Sequence, residues 1–431
     1  MFSRLAILCL FVATPLAAQE TPEEVAQTQD MQSILEARAA DAVSVLNGEQ
    51  DAQTVFAPGF LKAVSPEQLA AFHAQLSGQF GALIGVERVT QRGADRGVLV
   101  LQFENATGAG GIAVDPNAPH LITELVLTSF NATDDSLNKV KAELDALPGD
   151  VGLLFKRLDG TEAPIMSINP DRQLAIGSTF KLYILSALAR SIENGERSWS
   201  DVLTIDRKSF PSGTLQDWPD GAPVTLHTLA TLMISISDNT ATDLLLRHLG
   251  RETVEAELLQ IGHSAPDRTL PFLSTLEMFA LKGSEGNLAK YIAADEAGKR
   301  LILADFEDDV GGNRNLITPP RFVDPTAIDS VEWFASGNDL ARLAHRLSQI
   351  EDPAARAIMA VNTALPQDTV NEWLYVGYKG GSEPGVLNLT WLLQDEAERW
   401  HIMALSWNNT EEALDHTKLE QLAQRLVKFA F

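Results

Sequence analysis

The residues most able to do chemistry are a serine and a lysine three positions apart. Ser178-Thr179-Phe180-Lys181 follows Ala175-Ile176-Gly177 and opens a helix-forming run. Residues three apart share a helix face, so hydroxyl and amine can exchange a proton. Serine is a poor nucleophile until a neighbouring base takes its proton, and lysine serves once its pKa is depressed. A helix N-terminus adds positive potential and free N–H groups where an oxyanion would develop. The spacing alone says little: about one S-x-x-K arises by chance in a chain of this size, and an N-cap serine with a solvent-facing lysine has the same pattern. The surroundings weigh against that bland alternative. Phe180, Leu182, Tyr183, Ile184, Leu185, Ala187, Leu188 and Ala189 make the helix apolar on nearly every side. Such a helix is buried, and a lysine in its first turn needs a partner or a lowered pKa.

Two further clusters follow. Ser237-Asp238-Asn239 comes after the apolar run Leu229 to Ile236. It suits a helix N-cap, and equally a site in which Ser237 relays protons to a leaving group and Asn239 binds a substrate amide. Lys379-Gly380-Gly381-Ser382 ends an apolar strand. Its glycines let a ligand approach the strand backbone, and Lys379 and Ser382 suit a carboxylate. A plain glycine turn is the alternative.

The elements that must position these residues fall into three parts. Met1 to Ala18 has the pattern of a secretory signal: Arg4, a short apolar run, then Leu16-Ala17-Ala18. This implies a periplasmic or secreted protein. No later run is long and apolar enough to span a bilayer. Next, over 30–131, come a helix from Asp30 ended by Asn47-Gly48 and a second capped by Ser65-Pro66-Glu67. The second carries Leu69, Phe72, Leu76 and Phe80 as its apolar face. Four β-rich runs then begin near Val86, Val98, Gly111 and Leu121, which together suggest an α+β unit with an antiparallel sheet. Residues 131–150 contain a short helix and then Pro148-Gly149, and read as a linker. From 150 to 431 the pattern is a hairpin turning at Asp159-Gly160, a helix-rich stretch, three strands and a last helix over 411–429. The sheet is therefore assembled from both ends of this region.

The order S-x-x-K, S-D-N, K-x-G over residues 150–431 resembles the serine β-lactamases of class A and the penicillin-binding proteins, whose third motif is K-T-G. The likeness extends through Gly213 to Asp217, Pro223 to Leu226, and Ile234 to Ala241. It implies an α/β plus α fold around a central antiparallel sheet, with a site in the crevice between. It also implies catalytic roles for Ser178, Lys181 and Ser237, and substrate binding by Asn239, Lys379, Gly381 and Ser382. The N-terminal unit resembles the steroid-isomerase (NTF2-like) fold, a pairing similar to the serine hydrolase of the clavulanic acid cluster. Those relatives imply esterase-like chemistry on β-lactam-type compounds.

Two departures bear on turnover. Class A enzymes use a glutamate in an E-x-x-x-N pattern to activate the deacylating water, and no such pattern occurs in residues 250–376. Glu277, Glu285, Glu296, Glu307 and Glu332 remain candidates. Gly380 replaces the threonine of K-T-G. Acylation is thus expected with slow ring-opening hydrolysis. The alternatives are a D-Ala-D-Ala peptidase of the cell wall and a sensor that acylates once.

Composition narrows the classes. With 431 residues, 33 Lys+Arg and 58 Asp+Glu, the net charge is −25, which disfavours nucleic acid and anionic lipid as partners. Loss of Arg4 with the leader makes it more negative still. The single cysteine, Cys9, lies in the leader, so neither a thiol mechanism nor a disulfide framework is open to the remainder. Eight scattered histidines give no ligand cluster, and neither metal nor cofactor is expected. The expected partner is a small carboxylate-bearing molecule: a β-lactam, an ester or a cell-wall peptide.

Overall fold

The protein is described by a computed structural model covering residues 22–430 apart from 134, 311, 312, 320 and 322. The leader 1–18 lies outside the described residues. Two compact units divide the chain, the first ending at residue 134 and the second running from Asp135.

The first unit carries α1 (Pro22–Leu46), α2 (Pro58–Ala63) and α3 (Pro66–Phe80). A meander follows: β1 (Leu83–Gln91), β2 (Arg96–Phe103), β3 (Ala106–Val114) and β4 (Ile122–Ala132). Neighbouring strands pair antiparallel in sequence order. Ser65 caps α3 reciprocally with Gln68, and Pro66 occupies the first turn, where its missing N–H costs nothing. Leu35, Ala39 and Ala42 of α1 and Leu69, Leu76 and Phe80 of α3 pack on Leu99, Leu101, Phe103 and Ile112 of the sheet. Two expectations need correction. The first helix begins at Pro22, not Asp30, and Phe72 is exposed rather than part of the packed face.

The second unit opens with α4 (Leu137–Asp145), β5 (Asp150–Arg157), β6 (Met166–Ile168) and β7 (Leu174–Ala175). A helical region follows: α5 (Lys181–Glu193), a ribbon of β8 (Val202–Thr204) and β9 (Pro223–Thr225), then α6 (Leu226–Ser235), α7 (Asn239–Leu249), α8 (Arg251–Ile261), α9 (Thr275–Lys282), α10 (Glu285–Ala293) and α11 (Glu296–Val310). The chain ends with β10 (Phe334–Ala335), α12 (Gly337–Ser348), α13 (Ala354–Met359), α14 (Gln367–Val370), β11 (Tyr375–Glu383), β12 (Val386–Gln394), β13 (Trp400–Asn408) and α15 (His416–Val427).

The main sheet has the order β11-β12-β13-β5-β6, antiparallel throughout. Side chains alternate along each strand, and both faces are covered. Leu154, Leu392, Ile402 and Ala404 share a core with α5 and α12. Leu153, Phe155, Trp391, Met403 and Leu405 share another with α4 and α15. This explains why β12 is apolar at nearly every position: a strand covered on both sides has no solvent face to mark with polar residues.

The segment 131–150 is not a linker. Val140 and Leu144 of α4 are wholly buried in the second unit's core, and Arg425 of α15 anchors the segment through Asp135 and Glu143. Nor is Asp159-Gly160 a two-residue turn. Leu153 pairs with Ile168, so a longer loop joins β5 to β6, and Arg157 ties it down by ion pairs to Asp159 and Glu162. The last helix starts at His416, capped by Asp415, rather than at residue 411.

Candidate active site

Ser178 lies in a tight 3₁₀ turn, Gly177–Phe180, and Lys181 is the first residue of α5. The turn is pinned from two sides. Phe180 stacks on Trp333 at 3.6 Å between ring centroids, with Phe272 edge-on. Thr179 Oγ1 donates to the Lys379 carbonyl of β11 at 3.4 Å. Glycine permits the contact with β11. Gly177 adopts a left-handed φ of 47°, and a Cβ there would sit 2.9 Å from the Ser382 nitrogen. A Cβ on Gly381 would collide with the Ser178 nitrogen and the Ile176 carbonyl. The backbone amides of Ser178 and Ser382 are thereby drawn to one place. Gly381, read from sequence as room for a ligand, makes room first for the nucleophile's own turn.

Ser237-Asp238-Asn239 serves both as a helix cap and as a wall of the cleft. Asp238 caps α7 by accepting from Ala241 N at 2.8 Å, and also accepts from Thr214 N at 2.6 Å and Leu215 N at 2.9 Å. This locks the preceding residue. Ser237 has a φ of 58°, a region that costs a non-glycine residue roughly 1–3 kcal/mol. Its carbonyl accepts from Ser212 Oγ at 2.7 Å.

The two motif lysines meet at Ser237. Lys181 Nζ lies 2.7 Å from the Ser237 carbonyl, 2.7 Å from Asn239 Oδ1 and 3.0 Å from Ser237 Oγ. Lys379 Nζ lies 3.1 Å from Ser237 Oγ and also donates to the Gly380 carbonyl. Neither lysine forms an ion pair with a carboxylate among the described residues. Lys181 is fully buried. Burial first, and then the Lys379 charge, hold its pKa well below the usual lysine range. Burial pushes Lys379 down to about 7. Lys181 Nζ donates towards the Ser237 carbonyl, Asn239 Oδ1 and the Ser237 hydroxyl; in its neutral form two N–H groups serve these acceptors and the lone pair is left to take a proton. Ser237 can in turn accept from Lys379. The arrangement is a proton relay with a free base at one end and a titrating cation at the other. Asn239 is fixed by donating to the Phe210 carbonyl at 3.1 Å.

All seven sequence-derived residues fall together. Ser178, Ser237, Asn239, Lys379, Gly381 and Ser382 line one cleft of about 580 Å³, and Lys181 lies directly behind it, in contact with Ser237 and Asn239. Of the five candidate glutamates, Glu332 alone lines this cleft. Glu277, Glu296 and Glu307 are engaged with Arg251, Arg300 and Arg207, and Glu285 opens α10. A second cleft of about 410 Å³, lined by Arg207, Arg247, Arg251 and Arg300, contains none of the motif residues. Among the described residues no group of three or more His, Cys, Asp or Glu could hold a metal, and no helix is long and apolar enough to cross a membrane.

Sequence reading missed three contributors. Trp333 stacks beneath the nucleophile's turn. Thr275 lines the cleft and donates at 2.8 Å to Asp243, a half-buried residue whose carboxyl desolvation pushes up to about 6. Glu383 lies on β11 at even spacing from Lys379 and Gly381. Only this last had a sequence signal, since alternate strand residues share a face.

Residues 135–306 match a family model described as the β-lactamase enzyme family. That span holds the first two motifs and stops short of Lys379. Among solved structures, a β-lactamase from Sphaerobacter thermophilus is 22% identical, with 68% of this chain and 95% of that one covered and a TM-score of 0.46. A structure titled PBP-A is 18% identical over 68% and 92% of the two chains, with a TM-score of 0.46. A β-lactamase from Francisella tularensis is 14% identical over 68% and 97%, also at 0.46. No curated protein matches the sequence significantly.

Proposed function

We propose, from the premise that the second unit is a serine hydrolase of the β-lactamase and penicillin-binding-protein superfamily, that it acts through an acyl-enzyme on Ser178. The substrate class is β-lactams, esters or amides that carry a carboxylate. The observation that carries the reading is the buried Lys181, whose direct hydrogen-bond partners, Ser237 and Asn239, are neutral.

In this reading neutral Lys181 takes the Ser178 hydroxyl proton as Oγ attacks the carbonyl carbon. The oxyanion is held by the amides of Ser178 and Ser382. Ser237 donates its proton to the departing nitrogen or oxygen and recovers one from Lys181, so the carbonyl–heteroatom bond breaks without a free ion being expelled. Protonated Lys379, with Ser382, attracts the carboxylate, and the second amide hydrogen of Asn239 reaches the substrate amide. Hydrolysis then needs a water and a base. Glu332 is held by Lys282 at 3.0 Å, so ring-opening turnover is slow and the ester or peptidase outcome is favoured over rapid β-lactam hydrolysis.

Two coarser elements complete the proposal. The pattern of residues 1–18, with Arg4, a short apolar run and Leu16-Ala17-Ala18, supports export to the periplasm or medium. Helices leading into a four-stranded antiparallel sheet support a steroid-isomerase-like first unit with a non-catalytic role.

Time-resolved mass spectrometry with a penicillin, a cephalosporin and a simple ester tests the reading. The intact protein should gain the mass of the opened penicillin, and Ser178→Ala should gain nothing. Absence of any adduct together with absence of ester hydrolysis would sink it.

A further inference from the structure

The cleft has a second pole. Because strand side chains alternate, Lys379, Gly381 and Glu383 of β11 share a face, and Glu383 lines the cleft beyond the Ser178 turn. Lys282, at the end of α9, ion-pairs with both Glu383 and Glu332. One lysine cannot neutralise two carboxylates. Glu383 is 9% exposed, and its second oxygen, Oε2, is buried with no donor supplied by the protein. Burial, and then the neighbouring Glu332 carboxyl, push its pKa well above the carboxylate range. Both effects favour a proton on Glu383 in the free protein. A substrate N–H group could take the place of that proton.

The relay fixes which end of a substrate comes here. The leaving group sits beside Ser237 and Lys379, which protonate it and bind its carboxylate. The acyl substituent lies on the opposite side of the scissile carbon, along β11 towards Glu383. Two strand residues, from Gly381 to Glu383, cover roughly 7 Å. That is comparable to the reach from a penicillin's reactive carbonyl to the α-substituent of its side chain.

We infer that Glu383, backed by Glu332, is a specificity-determining residue that selects substrates with an ammonium or other N–H donor on the acyl side. This rests on the acyl-enzyme reading and adds the substrate's charge pattern: a carboxylate at the leaving end and a cation at the acyl end.

Three penicillins that differ only at the α-carbon test it without any mutation: ampicillin (ammonium), benzylpenicillin (hydrogen) and carbenicillin (carboxylate). Second-order acylation constants at pH 7 should fall in that order, with about a tenfold or larger span from first to last. Glu383→Gln and Glu332→Gln should each compress the span to within about threefold. A flat series in the unmodified protein, or a span untouched in both variants, overturns the inference. No acylation by any of the three, in protein shown to be folded by circular dichroism, instead overturns the acyl-enzyme reading and the inference with it. That outcome is distinct from a flat series of measurable rates.

Discussion

Lys181 and Lys282 both have side chains withdrawn from water, yet burial has opposite consequences for them. Lys181 meets two carbonyl oxygens and a hydroxyl. The lost hydration of a charge outweighs the pull of Asp243 and Asp238, and a second lysine stands nearby, so its pKa falls. Lys282 loses as much hydration but gains Glu332 and Glu383, and its pKa rises. The first arrangement makes a base and the second makes a brace. The difference lies in the partners rather than in depth, and the −25 net charge of the chain does not reach either lysine as a uniform background.

Removing each amine breaks the comparison most sharply. Lys181→Met should lower the acylation rate by roughly 10²–10⁴-fold, the usual worth of a positioned general base. Its thermal stability should be unchanged or raised, since a desolvated amine without a counter-charge is lost. Lys282→Met should do the reverse and cost about 3–5 kcal/mol in denaturant unfolding, because two buried carboxyls lose their cation. Equal destabilisation by the two variants would show that burial alone matters. Asp238→Ala, which strips three backbone N–H groups of their acceptor, should cost about 1–3 kcal/mol and slow acylation by loosening Ser237. The smallest effect is on pH. Lys379 is charged below about 7 and neutral above it. Acylation by carboxylate-bearing substrates should therefore decline as pH rises through that value. A neutral ester should show no such decline, because it does not use the charge. Profiles of the second-order constant report groups of the free enzyme, so the two substrates measured from pH 5 to 9 decide the matter.

Much of the site was legible because its residues occur as short contiguous motifs. Ser178 and Lys181 announce themselves through a lysine placed in an otherwise apolar helix, and Ser237 to Asn239 through a polar break between two helical runs. The strands were legible where their pattern was strong, as in β12. What escaped was set by long-range packing. Nothing local distinguishes Glu332 from the four other candidate glutamates, because the cleft wall it joins includes Glu383 from a distant segment, with Lys282 bridging the two. The segment 131–150 read as a linker because Pro148-Gly149 looks like a break. Its helix is held by α15 near the other end of the chain, which no window around residue 140 contains. The turn at Asp159-Gly160 failed for a similar reason: register set by Leu153 and Ile168 left more chain than two residues can use.

The sheet also sets the order of events in the life of the chain. Asp150 pairs with Asn408, so β5 lies between β6, made soon after it, and β13, made near the end of the chain. The serine emerges early in synthesis, but the strand that approaches its turn and the lysine beside Ser237 come more than half the unit later. Contacts so distant in sequence are slow to close. A growing chain therefore carries Ser178 without the β11 backbone beside its turn, and Lys379 is not yet in place beside Ser237. The cleft is complete only once the C-terminal strands have docked.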